Sequence, residues 1–373
     1  MGFLQKLMGN HQAIVVDKVV HDKETFWAWF QAQSAVFYHA VIMHEQIETE
    51  FFDPLSAWLE RMHDGIYFLA GEAEAGVAEL IFTADGVYKN FAFIEDLVAT
   101  APALTGWRFV ALKPACPVEG FGINMGERTY SDQTMQFYAR EQTRLPHNVD
   151  ITIVHSDEAA TEEQLTSGVY VYLDNLLGEW VAVTQIDQLH IIPPSVATQP
   201  LLPMADLLPY LQQKHAEWQQ AYAHVYHNSD QDDFVSFEGE AENGQLIVGI
   251  IDSTLLAWPH KPSHPWMLTL HIAYDGNGLN GMPSKQVYQH MEAFEDAVMA
   301  ELPEHEGYLN LGRETGDGVR LVYIACKQFV QATRVLERLM PKFSQDMSIE
   351  YDLFQDKYWQ SLQRFEHMGT EAD

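Results

Sequence analysis

The same series of side-chain types occurs twice along this chain, and this internal repeat restricts the possible folds more than any other feature. Three groups of positions match, and the spacing drifts by a few residues, as expected where insertions fall in loops. Leu80, Phe82, Asp85 and Gly86 correspond to Leu270, Ile272, Asp275 and Gly276; Glu95, Asp96 and Val98 to Glu295, Asp296 and Val298; Arg140, Arg144 and Leu145 to Arg334, Arg338 and Leu339. Self-similarity of this kind indicates a repeated structural unit, so we expect one fold to occur twice.

The hydrophobic periodicity predicts the same order of elements in both copies. In the first copy we expect strands at 66–70 and 78–83, a helix at 91–101, strands at 107–112 and 122–130, a helix at 134–144 and a strand at 149–154. In the second we expect a hairpin at 234–237 and 245–251, a strand at 266–273, a helix at 283–302, strands at 308–313 and 319–325, a helix at 329–343 and a strand at 348–354. This βαββαβ order is typical of the ferredoxin-like fold.

The segments outside the copies complete the predicted architecture. Apolar residues at helical spacing indicate helices before residue 64, further strands are expected at 169–173, 180–184 and 189–192, and four prolines mark a linker. The predicted fold class is α+β, with two ferredoxin-like (βαββαβ) units in tandem, additional hairpins and an N-terminal helical segment. The expected domains are a helical segment at 1–64, a first unit with a strand extension at 65–192, a linker and helix at 193–229, and a second unit at 230–373.

The charge balance limits the classes of partner. The chain has 53 acidic and 21 basic side chains and a formal net charge of -32. Such a surface repels phosphate backbones, which excludes general nucleic-acid binding. It favours a basic protein partner or a cationic ligand, although high solubility alone also explains it. No apolar run is long enough to span a bilayer, and two cysteines are too few for a disulfide framework, so we expect a soluble, cytoplasmic protein.

The common catalytic and metal-binding motifs are missing from the sequence. Seventeen histidines suggest a metal, yet there is no His-Glu-x-x-His, and the apolar surroundings of His44 and Glu48 favour a structural role. There is no phosphate-binding glycine loop and no Gly-x-Ser-x-Gly elbow. Neither Cys116 nor Cys326 has a histidine next to it in sequence. We therefore predict no catalytic residues, no metal and no cofactor.

Residues 258–266 (WPHKPSHPW) are the densest cluster of distinctive side chains and the first candidate for a binding site. Prolines stiffen this segment, and its tryptophans are suited to anchoring a partner or stacking on a flat ligand. The alternative is a rigid crossover loop whose tryptophans cover the sheet. Arg313 is expected to pair with Glu314 or another carboxylate, or to act as an anion clamp. The candidate binding residues are Trp258, His260, Lys261, His264, Trp266 and Arg313.

Two adjacent carboxylate pairs, Glu95-Asp96 and Glu295-Asp296, occupy neighbouring positions on predicted helices. Neighbouring helical residues diverge, so neither pair can share one proton. We interpret both pairs as parts of a solvated helix face that is retained in each copy.

The second half resembles a bacterial family known only as domain of unknown function 695. The residues that carry the likeness are 258–266, 281–283 (GMP), 307–313 (GYLNLGR), 320–327 (RLVYIACK) and 351–360 (YDLFQDKYWQ). The first half looks like the region that precedes this domain in longer members, through 67–71, 79–86 and 170–178. The resemblance implies no activity. At fold level the second unit also looks like the ribonuclease E inhibitor B family, whose acidic members act through protein contact.

Three functions are consistent with the sequence. The leading hypothesis is a non-enzymatic regulator or inhibitor that binds a basic protein through its acidic surface. The alternative is a small-molecule-binding protein or hydrolase with a pocket near His260, His264 and Arg313. A third is an acidic mimic of nucleic acid. The sequence does not indicate an oligomeric state.

Overall fold

The computed structural model describes residues 22–345 and 347–366, and the chain divides into two compact units. Among the described residues, the first unit contains 22–140 and 149–212. The second contains 141–148 and the described residues from 213 to 366. Helices and β-sheets occur in both units, which confirms the predicted α+β class.

The first unit begins with helices that cover a three-stranded sheet. Helices α1 (Lys23–Met43) and α2 (Asp53–Met62) precede β1 (Tyr67–Glu74), β2 (Val77–Thr83), α3 (Phe91–Ala99) and β3 (Trp107–Ala111). The strand order is β1-β2-β3, with β2 and β3 parallel because α3 makes the crossover. Phe26 and Trp27 of α1 pack edge-on against Phe82 of β2, which forms the core between helix and sheet.

A second sheet follows in the same unit. A small hairpin of β4 (Gly122–Met125) and β5 (Arg128–Ser131) precedes it. The sheet and its helices are formed by β6 (Met135–Arg140), β7 (Asp150–His155), α4 (Glu162–Leu177), α5 (Glu179–Thr184), β8 (Gln188–Ile192), β9 (Leu202–Pro203) and the first residues of α6 (Leu207–Tyr222), a helix that continues into the second unit. The strand order is β8-β7-β6-β9. Phe137, Ile151 and Ile153 bury their side chains in one core with residues of α4 and the start of α6.

Four predicted elements of the first half are wrong. The single strand expected at 122–130 is a hairpin of two short strands. Residues 134–144, expected to be a helix, contain strand β6, which pairs with β7 over six residue pairs. Residues 169–173 and 180–184, expected to be strands, lie in α4 and α5. Their β-branched and aromatic side chains favoured strands, but a Thr161–Gln164 capping box starts α4 and its buried residues recur at helical spacing.

The predicted tandem of two identical folds therefore fails in the first half, where the element order is not βαββαβ. The repeat places Arg140, at the end of a strand, opposite Arg334, which is inside a helix. The matching side-chain types at these positions do not reflect a shared structure. Apolar residues at buried positions and glycine or aspartate in turns are common to many folds.

The buried carboxylate of Glu179 ties α5 to the three-stranded sheet of the first unit. It accepts hydrogen bonds from the Thr83 hydroxyl (2.6 Å), the Ala84 and Gly86 amides (3.0 and 3.2 Å) and the Lys113 amide (3.2 Å). Its position at the first turn of α5 also places the negative charge at the favourable end of the helix dipole. One side chain thus satisfies donors from the ends of β2 and β3.

The second unit is built on a six-stranded antiparallel sheet. Its elements are β10 (Phe234–Glu240), β11 (Leu246–Asp252), α7 (Ser253–Leu256), β12 (Trp266–Ala273), α8 (Lys285–Glu301), β13 (Tyr308–Gly316), β14 (Val319–Cys326), α9 (Val330–Phe343), β15 (Ser348–Gln355) and α10 (Gln363–Glu366). The strand order is β10-β11-β13-β14-β12-β15. The hairpin, strands and helices predicted for this half are confirmed in the same order.

The two faces of this sheet have different coverings. Glu295 of α8 binds arginines on β13 and β14, which places that helix over one face. On the opposite face Met267 and Tyr323 pack with Trp359 and Phe365 from the C-terminal segment. Successive side chains of a strand point to opposite faces of the sheet. The position of a residue in its strand therefore determines whether it faces α8 or the C-terminal segment.

Candidate functional site

Residues 258–266 form a tight loop at one end of the six-stranded sheet. Residues Lys261–Ser263 make a 3-10 turn, closed by hydrogen bonds from the Ser263 amide and hydroxyl to the His260 carbonyl (2.9 and 2.7 Å). Ser263, His264 and Trp266 are buried, while His260 is exposed. The Trp266 ring lies 4.4 Å from that of Phe329, so this tryptophan belongs to the core.

His264 is a neutral imidazole enclosed in this loop. Its Nδ1 lies 2.8 Å from the Ser263 hydroxyl, which already donates to a carbonyl, so Nδ1 carries the proton. Its Nε2 is buried and has no hydrogen-bond partner among the residues described. Burial lowers the pKa of His264 to about 3, and the nearby positive charge of Lys327 acts in the same direction.

Trp258 brings three histidines around one indole. The ring centroids of His227, His260 and His264 lie 5.2, 5.8 and 5.6 Å from that of Trp258. Trp359 lies 6.1 Å away on the same cluster, and Lys261 Nζ is 5.8 Å from the Trp359 ring. The structure therefore brings the predicted residues of this loop together. They contact an aromatic cluster within the chain.

A second network, which the sequence did not indicate, adjoins Trp258. His227 Nε2 lies 2.5 Å from an Asp232 carboxylate oxygen, and both side chains are largely buried. The fully buried Asp252 accepts a hydrogen bond from the Leu255 amide (2.8 Å) as the cap of α7. Burial raises the pKa of Asp252 to about 6, and the nearby negative charge of Asp232 acts in the same direction.

This network was missed because its members are distant in sequence. The His227 ring binds Asp232, five residues later, in the loop before β10. Asp252 reaches them because β10 and β11 pair with Phe234 opposite Asp252. The Asn243-Gly244 turn, which sets that register, was the only usable signal.

A cleft of about 760 Å³ opens beside His227. Its lining consists of Tyr226, His227, Asn228, Met299, Pro303, Glu304, His305 and Asn310. Glu304 is held by the Ser229 amide (3.3 Å) and hydroxyl. The Asp232 carboxylate thus fixes the orientation of the His227 ring at the wall of the cleft.

Arg313 lies apart from the 258–266 loop. Its guanidinium donates to Glu295 of α8 (2.8 Å) and lies 3.8 Å from Glu292, on the helix-covered face of the sheet. Glu314 points to the other face, where Tyr323 and Arg364 bind it. The predicted pairing with a carboxylate is confirmed, with Glu295 as the partner. The structure does not bring Arg313 and His264 into one pocket.

The predicted solvated character of Glu295 is wrong. Its side chain is 5% exposed and also binds Arg320, which is 1% exposed, at 2.7 Å. Arg320 completes its bonding with the Thr315 hydroxyl (2.9 Å) and stacks on Tyr288 at 4.7 Å. The two arginines therefore bind one buried carboxylate, and Arg313, which is partly exposed, serves the fold as one of its counter-charges.

Metal-binding and nucleophilic groups are not assembled in the part of the chain that the structure describes. Within it no cluster of three or more His, Cys, Asp or Glu side chains is arranged to hold a metal. Burial raises the pKa of the Cys326 thiol, which is enclosed in β14 and remains protonated. Cys116 is half-buried.

Many basic side chains are bound within the chain. Ion pairs join Arg108 to Glu79, Lys113 to Asp174, Arg128 to Asp157, Lys23 to Asp96, Lys214 to Glu217 and Arg338 to Glu301. Lys327 donates to the carbonyls of Ala223 and Val225 (3.2 and 2.7 Å) and lies over the Tyr226 ring. Over the whole chain, 53 acidic side chains outnumber the 21 basic ones.

One comparison with known proteins gave a match. Residues 240–365 match the model of DUF695, a family of unknown function. The match covers less than half of the chain and confirms the resemblance predicted for the second half. No curated protein and no solved structure matches. In the described residues no helix is both long and apolar enough to cross a membrane.

Proposed function

We propose that this chain is a non-enzymatic binding protein that docks a basic protein partner on its acidic surface and thereby regulates or inhibits it. The observation that carries the proposal is the distribution of charge. Basic side chains are engaged by the chain's own carboxylates and carbonyls, while a formal charge of -32 remains. Unneutralised charge of one sign steers an oppositely charged protein and accelerates its association.

The topology of the second unit supports the same proposal. Read from one edge, the strands β15-β12-β14-β13 carry the βαββαβ connection through α8 and α9, and we infer a ferredoxin-like unit at residues 266–355. The likeness to the ribonuclease E inhibitor B family is part of this proposal. It supplies an analogy for action through protein contact, since fold does not determine function.

The test is capture of partners by the immobilised chain at low and high salt, followed by binding of the purified candidate. We expect a basic protein that binds at low salt and is released at high salt. A reconstituted assay of that partner's own activity then measures regulation. If no basic protein binds under either condition, the proposal fails.

A second candidate function is the binding of a small cationic molecule in the cleft beside His227. His227 and Glu304 line one cavity, and Asp232 binds the His227 ring from behind its wall. A carboxylate at the cavity wall favours an amine or guanidine ligand. Titration with small amines and guanidines is expected to shift the NMR signals of the His227 ring. His227→Gln removes that response, whereas His190→Gln, in the first unit, leaves it unchanged. Absence of any shift contradicts this candidate.

A further inference from the structure

Strand β10 forms one edge of the six-stranded sheet, and its outward-facing backbone groups can be assigned from its pairing. Within residues 22–345 and 347–366 no strand pairs with its outer side. The Ala241 amide donates to the Gln245 carbonyl and the Ser253 amide to that of Asp233, which identifies these as hydrogen-bonded pairs. Pairing alternates in an antiparallel ladder. The amides and carbonyls of Phe234, Ser236, Glu238 and Glu240 therefore point away from β11.

The same four residues present exposed side chains on one face. Glu238 and Glu240 are exposed, and Phe234 is 51% exposed. Ile250 of β11, opposite Ser236, is 38% exposed on this face. An edge of seven regular residue pairs thus combines free backbone groups, two carboxylates and an apolar patch.

We propose that the free edge of β10 binds an extended basic segment of a partner protein as an added β-strand. This inference rests on the proposed function and specifies its docking surface. The partner's backbone hydrogen bonds to Phe234, Ser236, Glu238 and Glu240. Its lysine or arginine side chains, at alternate positions, face Glu238 and Glu240, and an apolar residue contacts Phe234 and Ile250. Strand addition of this kind derives affinity from the main chain and specificity from alternate side chains.

Charge complementarity decides which strand this edge accepts. Two copies of the same acidic edge would oppose carboxylates directly, and like charges across a ladder are destabilising. A basic strand replaces that repulsion with cross-strand ion pairs. The opposite edge, β15, differs because its Asp352 already lies 3.2 Å from His271.

The experiment measures binding of a fluorescent peptide, in which lysine alternates with valine, to the full chain. Ser236→Pro removes an outward amide while leaving every β10–β11 hydrogen bond intact, because Ser236 is in a non-hydrogen-bonded pair. We expect affinity to fall roughly fivefold to tenfold for one lost hydrogen bond and the added ring. Ser236→Ala, which keeps the amide, is the matched control and retains affinity. Circular dichroism and thermal midpoints verify that each variant is folded.

A second pair of variants tests the charges without altering the backbone. Glu238→Gln with Glu240→Gln is expected to weaken binding about tenfold at low salt, since two ion pairs are lost. Glu350→Gln with Asp352→Asn makes the same charge change on β15 and is expected to have a smaller effect. Equal effects at both edges overturn the assignment to β10.

N-methylation of alternate peptide amides separates strand addition from general attraction. Two peptides are compared, one methylated at the odd-numbered amides and one at the even-numbered amides. Methylation of the set that faces β10 is expected to abolish binding, while the peptide charge stays the same. If both methylated peptides and Ser236→Pro bind normally and binding remains salt-sensitive, the edge inference is wrong and the acidic-surface proposal stands. If the unmodified peptide shows no salt-sensitive binding, both are contradicted.

Discussion

Glu295 neutralises two arginines at once, and this is the residue whose removal we expect to cost the second unit most. Arg320 is almost fully enclosed and cannot regain water when its counter-charge is lost. Glu295→Gln is therefore predicted to lower the free energy of unfolding by about 3–5 kcal/mol, the usual cost of breaking a buried ion pair. Urea denaturation monitored by circular dichroism measures it.

The neighbouring Asp296 provides the control for that prediction. It is exposed on the same helix, so Asp296→Asn makes the same charge change without touching either arginine. A change within about 0.5 kcal/mol is expected there, as for other surface substitutions. Similar losses in both variants would show that general charge, and not the buried pair, determines the effect.

His264 is predicted to make the fold sensitive to acid. Its pKa is lowered from 6.5 to about 3 in the folded state, so the folded chain prefers the neutral ring. Below pH 6.5 the unfolded chain takes up a proton on His264 that the folded chain does not. The free energy of unfolding therefore falls by about 1.4 kcal/mol for each pH unit between about 6.5 and about 3. Asp252, with its raised pKa, acts in the opposite direction.

Comparison of the wild type with His264→Gln isolates that contribution. The free energy of unfolding of the wild type is expected to fall more steeply than that of the variant as the pH is lowered from about 6.5 to about 4. Denaturant titrations at each pH measure both slopes. Parallel curves would contradict the assignment of a buried neutral imidazole.

At the scale of elements, the packing of α4 on β5 depends on a glycine. A Cβ at Gly168 would lie 2.0 Å from the Tyr130 ring. Although alanine favours helices by about 1 kcal/mol over glycine, Gly168→Ala is predicted to destabilise the protein by about 1–3 kcal/mol. Thermal and urea unfolding measure the sign of the change.

The exposed Val171 on the same helix is the control for this substitution. Val171→Ala is expected to be neutral or slightly stabilising because it alters helix propensity alone. In a Tyr130→Leu background the cost of Gly168→Ala should shrink, as for contacting residues in a double-mutant cycle. An unchanged cost would show that the ring is not the obstacle.

The elements of the second half follow from local periodicity, whereas those of the first half do not. In β12 every second residue is apolar and buried, and the Asn243-Gly244 turn defines a hairpin. In α4 and β6 the same residue types are compatible with helix or strand. The capping box of α4 and the pairing of β6 with β7 decide between them, and pairing partners are not visible in a short window.

At the scale of the whole molecule, repulsion between carboxylates opposes the folded state. With a formal charge of -32, we expect the thermal midpoint to rise as sodium chloride is added up to about 0.2 M, where screening acts over about 8–10 Å. Differential scanning calorimetry measures the midpoint at constant pH. A falling midpoint would show that the chain's own ion pairs outweigh the repulsion.

The acidic charge, the hairpin and the βαββαβ order of residues 266–355 could be read from residue types, because composition and periodicity are properties of neighbouring residues. The candidate sites could not. Glu295 and Asp296 are adjacent and chemically alike, yet one is buried between two arginines and the other is exposed. Likewise His227, Asp232 and Asp252 meet because strand register brings distant positions together. The internal repeat shows that similar residue types occur in both halves of the sequence. Burial and strand pairing, which depend on the tertiary structure, determine the contacts that those residues make.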